Sequence, residues 1–534
     1  MRKPYIINSL EKVFSDEAPG GELQRFSLLK NETYSFQIVL ECETDETPVS
    51  IGLPALSGGH IALYSAENVP IEMPARVKCR DDFLLRGGEV GEYPDVLRPC
   101  GTELILKGKG FHALWIDLVP DAGFSAGERE LVFPVRVGGE EFSVCVAANV
   151  IDALLEDDGF VCTHWFHSDC LATRYGVEVF SEEYWRIVEN YVRCAVQHGI
   201  NMILTPLFTP PLDTEVGSER PTVQLVDVSR GEDGAWSFGF EKLGRWIDMC
   251  LAAGAKYFEM SHFFTQWGAE HAPKIIADGK RVFGWETKAR GRNYRGFLTA
   301  LAAELVPYLK KNGVAEKCFF HVSDEPGLGN LPYYKSNAAF LKKILPGFRF
   351  IDAMSDYTFF ALRIAETPIP SIAAVDDFAG KVPELWCYYC CGPAGENYIN
   401  RFIFYPSVRN RALGLAMYRY DCRGFLQWGY NFWNTALSRA TVDPYQDTTA
   451  GGEFPAGDGF VVYPGDDGAP VPSLRFKVFR DGLTDFHALH TLERLAGREE
   501  AEKLVENIRF NEYPRTSTEF LALREKINEE IAKF

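Results

Sequence analysis

The run Cys318-Phe319-Phe320-His321-Val322-Ser323-Asp324-Glu325-Pro326 sets the architecture of the chain. An apolar segment passes directly into two adjacent carboxylates and is stopped by a proline, the pattern of a buried strand that carries acidic groups to a pocket at its end. From Asp157-Asp158-Gly159 onward, strand-like runs alternate with helical patterns, as in a parallel sheet of βα units. The strands fall at 160–165, 202–205, 257–261, 318–322, 349–353, 372–375, 385–389 and 424–428. Eight units across residues 156–445 match a (β/α)8 TIM-type barrel, with a doubly wound sheet as the alternative. The clearest helix spans 181–198: Ser181 can cap it, Glu182 and Glu183 suit its positive end, and Gly199 can stop it. Tyr184, Ile187, Val188, Tyr191, Val192 and Ala195 share one face of that helix. Another helix runs over 295–312, with Pro307 as a kink.

Residues 1–155 read differently. Period-two alternation at 33–40, 113–119 and 131–137, and at Phe142, Val144 and Val146 after Gly138-Gly139, predicts an antiparallel β-sandwich. Gly91-Glu92-Tyr93-Pro94-Asp95-Val96-Leu97 reads as an aromatic, acidic loop, an ordinary exposed one in preference to one that reaches another domain's site. Residues 446–534 predict a Gly-, Pro- and Asp-rich loop with an extra strand at 460–463, then helices over 475–496 and 499–533 packed outside the barrel. The expected fold class is multidomain α and β: an N-terminal antiparallel β-sandwich, a catalytic (β/α)8 barrel, and C-terminal helices.

Lys and Arg number 55 against 74 Asp and Glu, a formal charge of −19 with no dense basic cluster. Such a surface repels a phosphate backbone or an anionic bilayer, so neither nucleic acid nor membrane is an expected partner. Met1-Arg2-Lys3 leads into no apolar core and no run reaches bilayer length, so a soluble, cytoplasmic protein is expected. The 13 scattered Cys fit a reducing compartment. Cys387-Tyr388-Tyr389-Cys390 contains a C-x-x-C, but no second pair stands at zinc-site spacing, so neither metal nor cofactor is expected. Aromatics make up 13% of the chain, more than packing alone asks for, and surplus rings line binding sites.

Barrel sites lie at the C-terminal ends of the strands. Those ends carry His164, Trp165, Thr205, His262, Asp324, Glu325, Asp356, Tyr388, Tyr389, Trp428 and Tyr430. Rings mixed with polar groups suit a sugar, whose faces stack while its hydroxyls take hydrogen bonds. Two-acid glycoside hydrolysis needs carboxyls roughly 5 to 5.5 Å apart for retention or 6.5 to 9.5 Å for inversion, flanking the ring. Sequence neighbours have Cα atoms about 3.8 Å apart and share one strand end. Glu325 as general acid therefore leaves Asp324 to hold a substituent on the same sugar. A 2-acetamido group suits that role: its carbonyl oxygen is an internal nucleophile while Asp324 accepts the amide N–H. A general acid near neutrality needs a raised pKa, so activity is expected to fall on the alkaline side through a group above ordinary glutamate.

Several segments, in order, resemble glycoside hydrolase family 123, the family of β-N-acetylgalactosaminidases. They are Thr163-His164-Trp165-Phe166-His167-Ser168-Asp169, His198-Gly199-Ile200-Asn201, Phe263-Phe264-Thr265-Gln266-Trp267-Gly268, Phe283-Gly284-Trp285, His321 to Pro326, and Arg480-Asp481-Gly482-Leu483-Thr484-Asp485. The resemblance implies a β-sandwich followed by a catalytic barrel, Glu325 as acid/base, and Asp324 orienting the acetamido group of a β-linked N-acetylgalactosamine through an oxazolinium intermediate. By analogy Trp267, Trp285, Trp428 and Trp433 are candidates for the sugar platform. His164, Trp165, Asn201, His262, Gln266, His321, Tyr388 and Tyr430 complete the expected substrate-binding set, with an oligosaccharide or glycoconjugate as partner. His321 reads either as a hydrogen-bonding support or as a satisfied core histidine. Two other readings stay open: an ordinary retaining glycosidase with Asp356 or Glu286 as nucleophile, and a non-catalytic carbohydrate-binding protein of the same fold.

Overall fold

The structure, a computed structural model, describes residues 2–72 and 81–534. Its N-terminal part is two packed five-stranded sheets. One holds, in spatial order, Tyr5–Asn8, Tyr34–Cys42, Gly110–Pro120, Gly59–Ile71 and Gly91–Pro99. The other holds Arg25–Leu29, Glu140–Ile151, Gly127–Val137, Glu46–Ile51 and Glu103–Lys107. The alternation read from sequence is the packing pattern: Leu131, Phe133, Val135 and Val137 point inward onto Phe36, Ile38, Leu114 and Ile116. Gly138 and Gly139, at φ 56° and 94°, make the two-residue turn that sets Val137 opposite Glu140. The sandwich is not wholly antiparallel, since Arg25–Leu29 runs parallel to Glu140–Ile151.

The stretch expected to be an exposed loop is instead the strand Gly91–Pro99, hydrogen-bonded to Gly59–Ile71. The acidic residue inside it is made buriable by distant partners. Asp95 is fully buried because it accepts from Arg475 Nε at 2.8 Å, Arg475 Nη2 at 3.0 Å and the Tyr463 hydroxyl at 2.6 Å, all from the C-terminal region.

The barrel has eight parallel strands: β1 (Val161–His164), β2 (Met202–Thr205), β3 (Tyr257–Met260), β4 (Cys318–Phe320), β5 (Arg349–Ala353), β6 (Thr367–Ile369), β7 (Leu385–Tyr388) and β8 (Cys422–Gln427). Apart from β6 and β7, each pairs with its sequence neighbour, and β8 pairs back onto β1, the connectivity of a (β/α)8 ring rather than a doubly wound sheet. Between β6 and β7 the link is made just past β6, where Tyr388 N donates to Pro370 O and Ile372 N to Tyr388 O. Strand β6 lies ahead of the expected 372–375, because Val375 already begins a helical turn.

The barrel helices are α1 (Glu182–Gln197), α2 (Glu241–Ala252), α3 (Arg292–Lys311), α4 (Leu331–Ile344), α5 (Thr358–Ala361), α6 (Val375–Phe378), α7 (Leu413–Arg419) and α8 (Leu474–Ala496). Ser181 Oγ caps α1 by accepting from Tyr184 N, and α3 accommodates Pro307. Two units are stunted, with α5 and α6 single turns of four residues each. The eighth helical place is filled by α8, expected outside the barrel: Phe476 stacks on His198 at 4.2 Å and Phe486 packs on Phe160 at 4.7 Å. The expected helix over 499–533 is broken into Arg498–Val505 and Ser517–Ile531, the latter opened by a Thr516/Glu519 capping box. Among the described residues no helix is long and apolar enough to cross a membrane.

Helix α8 also anchors the sandwich. Besides the Asp95–Arg475 pair, Lys477 Nζ donates to Asp117 at 2.5 Å, and Arg524 bridges Glu32 at 2.6 Å to Asp485 at 2.7 Å. Removing one partner from a buried ion pair strands the other charge. Asp95→Ala is therefore expected to destabilise the protein by about 3–5 kcal/mol, read from the urea midpoint. A loss below about 1 kcal/mol would class the contact with exposed pairs instead.

Candidate active site

Strand β4 ends at Phe320, and the chain then descends through His321, Val322 and Ser323 to the two acids. Asp352 on β5 receives this turn: its Oδ1 accepts from Val322 N at 3.0 Å and Ser323 N at 3.2 Å. Glu325 N donates to Ala353 O at 3.1 Å, while Asp324 O accepts from Trp267 N at 2.9 Å. Glu325 and Trp267 both have left-handed backbones, φ 43° and 57°. Such strain in a non-glycine residue costs about 1–3 kcal/mol and persists where surrounding contacts over-determine it.

Two cavities meet at Glu325. Asp324 and Glu325 share the first with the rings of Trp165, Trp267, Trp428 and Phe454 and with the polar side chains of Gln266 and Asp213. The second is an open cleft over the stunted units, lined by Ser355, Asp356, Tyr357, Asp377 and Lys381. Glu325 and Tyr388 belong to both walls, whereas Asp324 lines the aromatic cavity alone. The Tyr388 hydroxyl donates to Glu325 Oε1 at 2.5 Å.

Beneath the acids runs a buried ionic network. His321 Nε2 contacts Glu259 Oε1 at 2.6 Å and its Nδ1 contacts Asp352 Oδ1 at 3.2 Å. Burial alone would depress the imidazole pKa, but these two carboxylates outweigh it and push it up to about 9, so both nitrogens donate. Glu259 also accepts from Trp165 Nε1 at 2.8 Å and from the Thr163 hydroxyl, and Asp352 accepts from the Tyr334 hydroxyl at 2.5 Å. Burial and the neighbouring Glu325 charge push Asp324 well above the usual carboxylate range, while the His321 imidazolium pulls the other way. Asp324 therefore holds its proton more tightly than an ordinary aspartate.

A second wall of the aromatic cavity is equally constrained. Asp213 sits at φ 40°, its N donating to Gln266 Oε1 at 2.6 Å, its O accepting from Ser438 Oγ at 2.7 Å and its Oδ2 from Leu437 N at 2.9 Å. Burial raises its carboxyl to about 6. Gln266 Nε2, on the same wall, is buried without a hydrogen-bond partner among the described residues. An orphaned donor beside a carboxylate is what a polyhydroxylated ligand satisfies.

Residues 165–492 match the model of the glycoside hydrolase 123 catalytic domain. The chain belongs to glycoside hydrolase family 123. It is similar to the structure of a family 123 glycoside hydrolase from Clostridium perfringens, solved for the details of glycolipid glycan hydrolysis. The TM-score is 0.77 at 12% identity, covering 99% of this chain and 97% of that one, a likeness that shows the fold alone. A β-glucuronidase from Bacteroides uniformis, 10% identical over 90% of this chain and 51% of its own, gives a TM-score of 0.31, too low to carry an argument. No curated protein matches the chain.

In this family 123 glycosidase the aromatic cavity brings together Asp324, Glu325, Trp165, Gln266, Trp267, Tyr388 and Trp428 from the sequence-derived set. Trp267 is 49% exposed, a large ring left open to the cavity mouth. The other expected residues lie elsewhere. His164 faces α8, against Phe476 and Phe479, with Nδ1 on Arg401. Asn201 precedes β2 at the opposite end of the barrel, clamping Cys162 N and Phe160 O. Tyr430 and Trp433 are buried, donating to Tyr191 O and Val462 O, and Trp285 donates to Ser218 O. His262 stacks on His321 at 4.1 Å below the cavity floor. His321 takes the supporting place described above.

Of the alternative nucleophiles, Glu286 sits in contact with Arg281 away from both cavities, and Asp356 lines the open cleft. Cys390 lines the aromatic cavity while Cys387 is buried beside Cys422, so the C-x-x-C does not converge. His262, His321 and Asp352 present ligand atoms within 4.8 Å of one another, yet both His321 nitrogens are already committed to carboxylates. Sequence reasoning missed Glu259, Asp352 and Asp213. The first two carried a signal, a buried carboxylate flanked by apolar residues in a barrel strand.

His321 makes stability depend on pH. Its folded pKa is raised, so its contribution is complete below the unfolded value of about 6.5 and is lost as pH rises through about 9. Unfolding free energy is expected to fall across that window in the native protein and to lose this slope in His321→Gln. The variant is also expected to be about 3–5 kcal/mol less stable near neutrality, because Glu259 and Asp352 are left facing each other. Parallel pH profiles for the two proteins would contradict the charged-imidazole assignment.

Proposed function

We propose that the protein releases a β-linked N-acetylhexosamine, N-acetylgalactosamine in the first instance, by a retaining, substrate-assisted mechanism. The observation that carries this reading is the asymmetry of the acidic pair: Glu325 stands where the two cavities meet, and Asp324 faces the aromatic one alone. A glycosidic oxygen lies between the released sugar and its leaving group, so the group that protonates it belongs at the junction. A group that reads the 2-acetamido substituent belongs inside the sugar's own cavity. The galacto preference rests on family membership. Residence in a reducing compartment is supported by the free thiols of the described cysteines.

The chemistry follows from the division of roles between the two acids. The substrate amide N–H donates to Asp324, which favours the ionised form there. Glu325 protonates the glycosidic oxygen as the acetamido carbonyl oxygen attacks the anomeric carbon. The bond to the leaving group breaks, and the positive charge of the oxazolinium ring is held by Asp324. Glu325, now a carboxylate, takes a proton from water, which opens the ring at the anomeric carbon with net retention. Trp165, Trp267 and Trp428 provide faces for the pyranose, and Asp213 with Gln266 Nε2 takes its hydroxyls.

A second reading has Asp213 in its favour, another carboxylate on the same cavity wall. There Asp213 is the nucleophile or base of an ordinary two-carboxylate glycosidase, and the acetamido group is dispensable. Aryl 2-acetamido and 2-hydroxy galactosides separate the two. Substrate assistance predicts turnover of the first only, with Glu325→Gln lowering kcat by about 10²–10⁴ and Asp324→Asn by about 10² or more. Equal turnover of the two glycosides would transfer the case to Asp213.

The pH profile offers a further check. Asp324 must be ionised to accept the amide, so the acid limb of kcat/KM is expected above the ordinary aspartate range. Asp324→Asn is expected to remove that limb from the residual activity. An acid limb that survives in Asp324→Asn would remove Asp324 as the group titrating there.

A further inference from the structure

Cys390 and Cys391 stand in the wall of the aromatic cavity and take no part in the reaction proposed above. They follow Tyr388 and Tyr389 at the end of β7, and their Sγ atoms lie 3.9 Å apart. Cys391 is exposed and Cys390 partly buried, so a reagent arriving from solution meets Cys391 with a second sulfur behind it. Cys145, also exposed, lies far from the cavity on the sandwich strand Glu140–Ile151, while Cys387 and Cys422 are both buried. The hydrogen bond with Cys391, burial and the Glu325 charge push the Cys390 thiol well above its usual range, which leaves Cys391 as the thiol that attacks first. The backbone around the pair is fixed by the buried Asn400 side chain. Its Nδ2 donates to Cys390 O at 3.0 Å and to Pro393 O at 3.1 Å, and Cys390 N donates to Gly392 O at 2.9 Å.

We propose that Cys390 and Cys391 are a modification site, converted by a hydroperoxide into a vicinal disulfide that disables the aromatic cavity. The Cys391 thiolate attacks the peroxide: an S–O bond forms, the O–O bond breaks, and the other oxygen leaves as an alcohol or water. The Cys390 sulfur then attacks the sulfenic sulfur. The S–S bond forms, the S–O bond breaks, and the hydroxide leaves with the Cys390 proton as water. Two thiols have given up two electrons and two protons, and one peroxide has taken them. Bringing the sulfurs to bonding distance while the Cα atoms stay about 3.8 Å apart turns the peptide group between them, whose carbonyl is the Cys390 oxygen that Asn400 holds. Closing the ring therefore breaks a buried hydrogen bond, which leaves the disulfide easy for a small thiol to reduce. It also displaces the wall two residues beyond Tyr388, whose hydroxyl holds Glu325. The thiol chemistry stands apart from the hydrolysis, whereas its effect on turnover rests on the role of Glu325 proposed above.

The test treats the reduced protein with hydrogen peroxide and reads two quantities: the mass of the peptide that carries both cysteines, and hydrolysis of an aryl β-N-acetylgalactosaminide before and after treatment. The peptide is expected to lose two hydrogens, turnover to fall by about tenfold or more, and dithiothreitol to restore both. Each variant is compared with its own untreated sample, so the folded fraction cancels. Cys391→Ser is expected to keep its turnover within about twofold under peroxide, and Cys145→Ser to be inhibited like the native protein. A peptide that gains oxygen without losing the two hydrogens, or a Cys391→Ser variant inhibited as deeply as the native protein, overturns the site. A disulfide that forms with turnover unchanged overturns its effect on the cavity. An untreated protein that does not hydrolyse the glycoside overturns the proposed reaction instead, and the peptide mass still decides for or against the disulfide.

Discussion

A protonated imidazole locked between two buried carboxylates is the contact on which the active end of this barrel depends. His321 follows β4, Glu259 lies on β3 and Asp352 on β5, while Thr163 and Trp165 reach Glu259 from the β1 end. The network therefore ties four strands together at one level of the barrel. Burying one charge without partners is prohibitive, whereas this set is closed: both imidazole nitrogens and most carboxylate lone pairs are used. Its geometric result is the shape of the turn, because Asp352 accepts the amides of Val322 and Ser323 and so aims the next two residues. Its electrostatic result is a fixed positive charge beneath Asp324, which moderates the repulsion between adjacent acids.

The rest of the molecule stabilises that arrangement from outside. Helix α8 closes the barrel ring and carries Arg475 and Lys477, which pair with Asp95 and Asp117 of the sandwich. The sandwich is thus fastened to the barrel by oriented, desolvated ion pairs as well as by apolar packing. The opposite treatment is given to the fifth and sixth units, where helices shrink to single turns and the surface opens into a cleft. Rigidity and access are distributed around the ring unevenly, and Asp324 and Glu325 lie at the boundary.

Much of this was legible in the chain. Alternating burial in 131–137, the Gly138-Gly139 turn and the Ser181 cap each have a local cause, and local causes survive folding. The acidic pair was legible for the same reason, since two carboxylates at a strand end are a local pattern. The aromatic and polar neighbours were only half legible. Trp165 reaches the cavity and His164 does not, because successive strand residues face opposite sides and His164 turns to α8. Asn201 matched a family motif but precedes its strand, so it lies at the wrong end of the barrel. The segment 91–97 looked like a loop because Asp95 is charged, and only Arg475, 380 positions away, makes that charge buriable.

By itself the sequence determined the order of βα units, the strand that ends in Asp324 and Glu325, and the adjacency that argues against that pair flanking a sugar ring. These follow from spacing along one chain, which no tertiary contact alters. Only the tertiary structure decided which rings share a cavity, that Asp213 joins them, that His321 is charged, and that Glu325 faces two cavities while Asp324 faces one. Those facts depend on residues distant in sequence becoming neighbours, and on charges that are tolerable inside a protein only once such neighbours arrive.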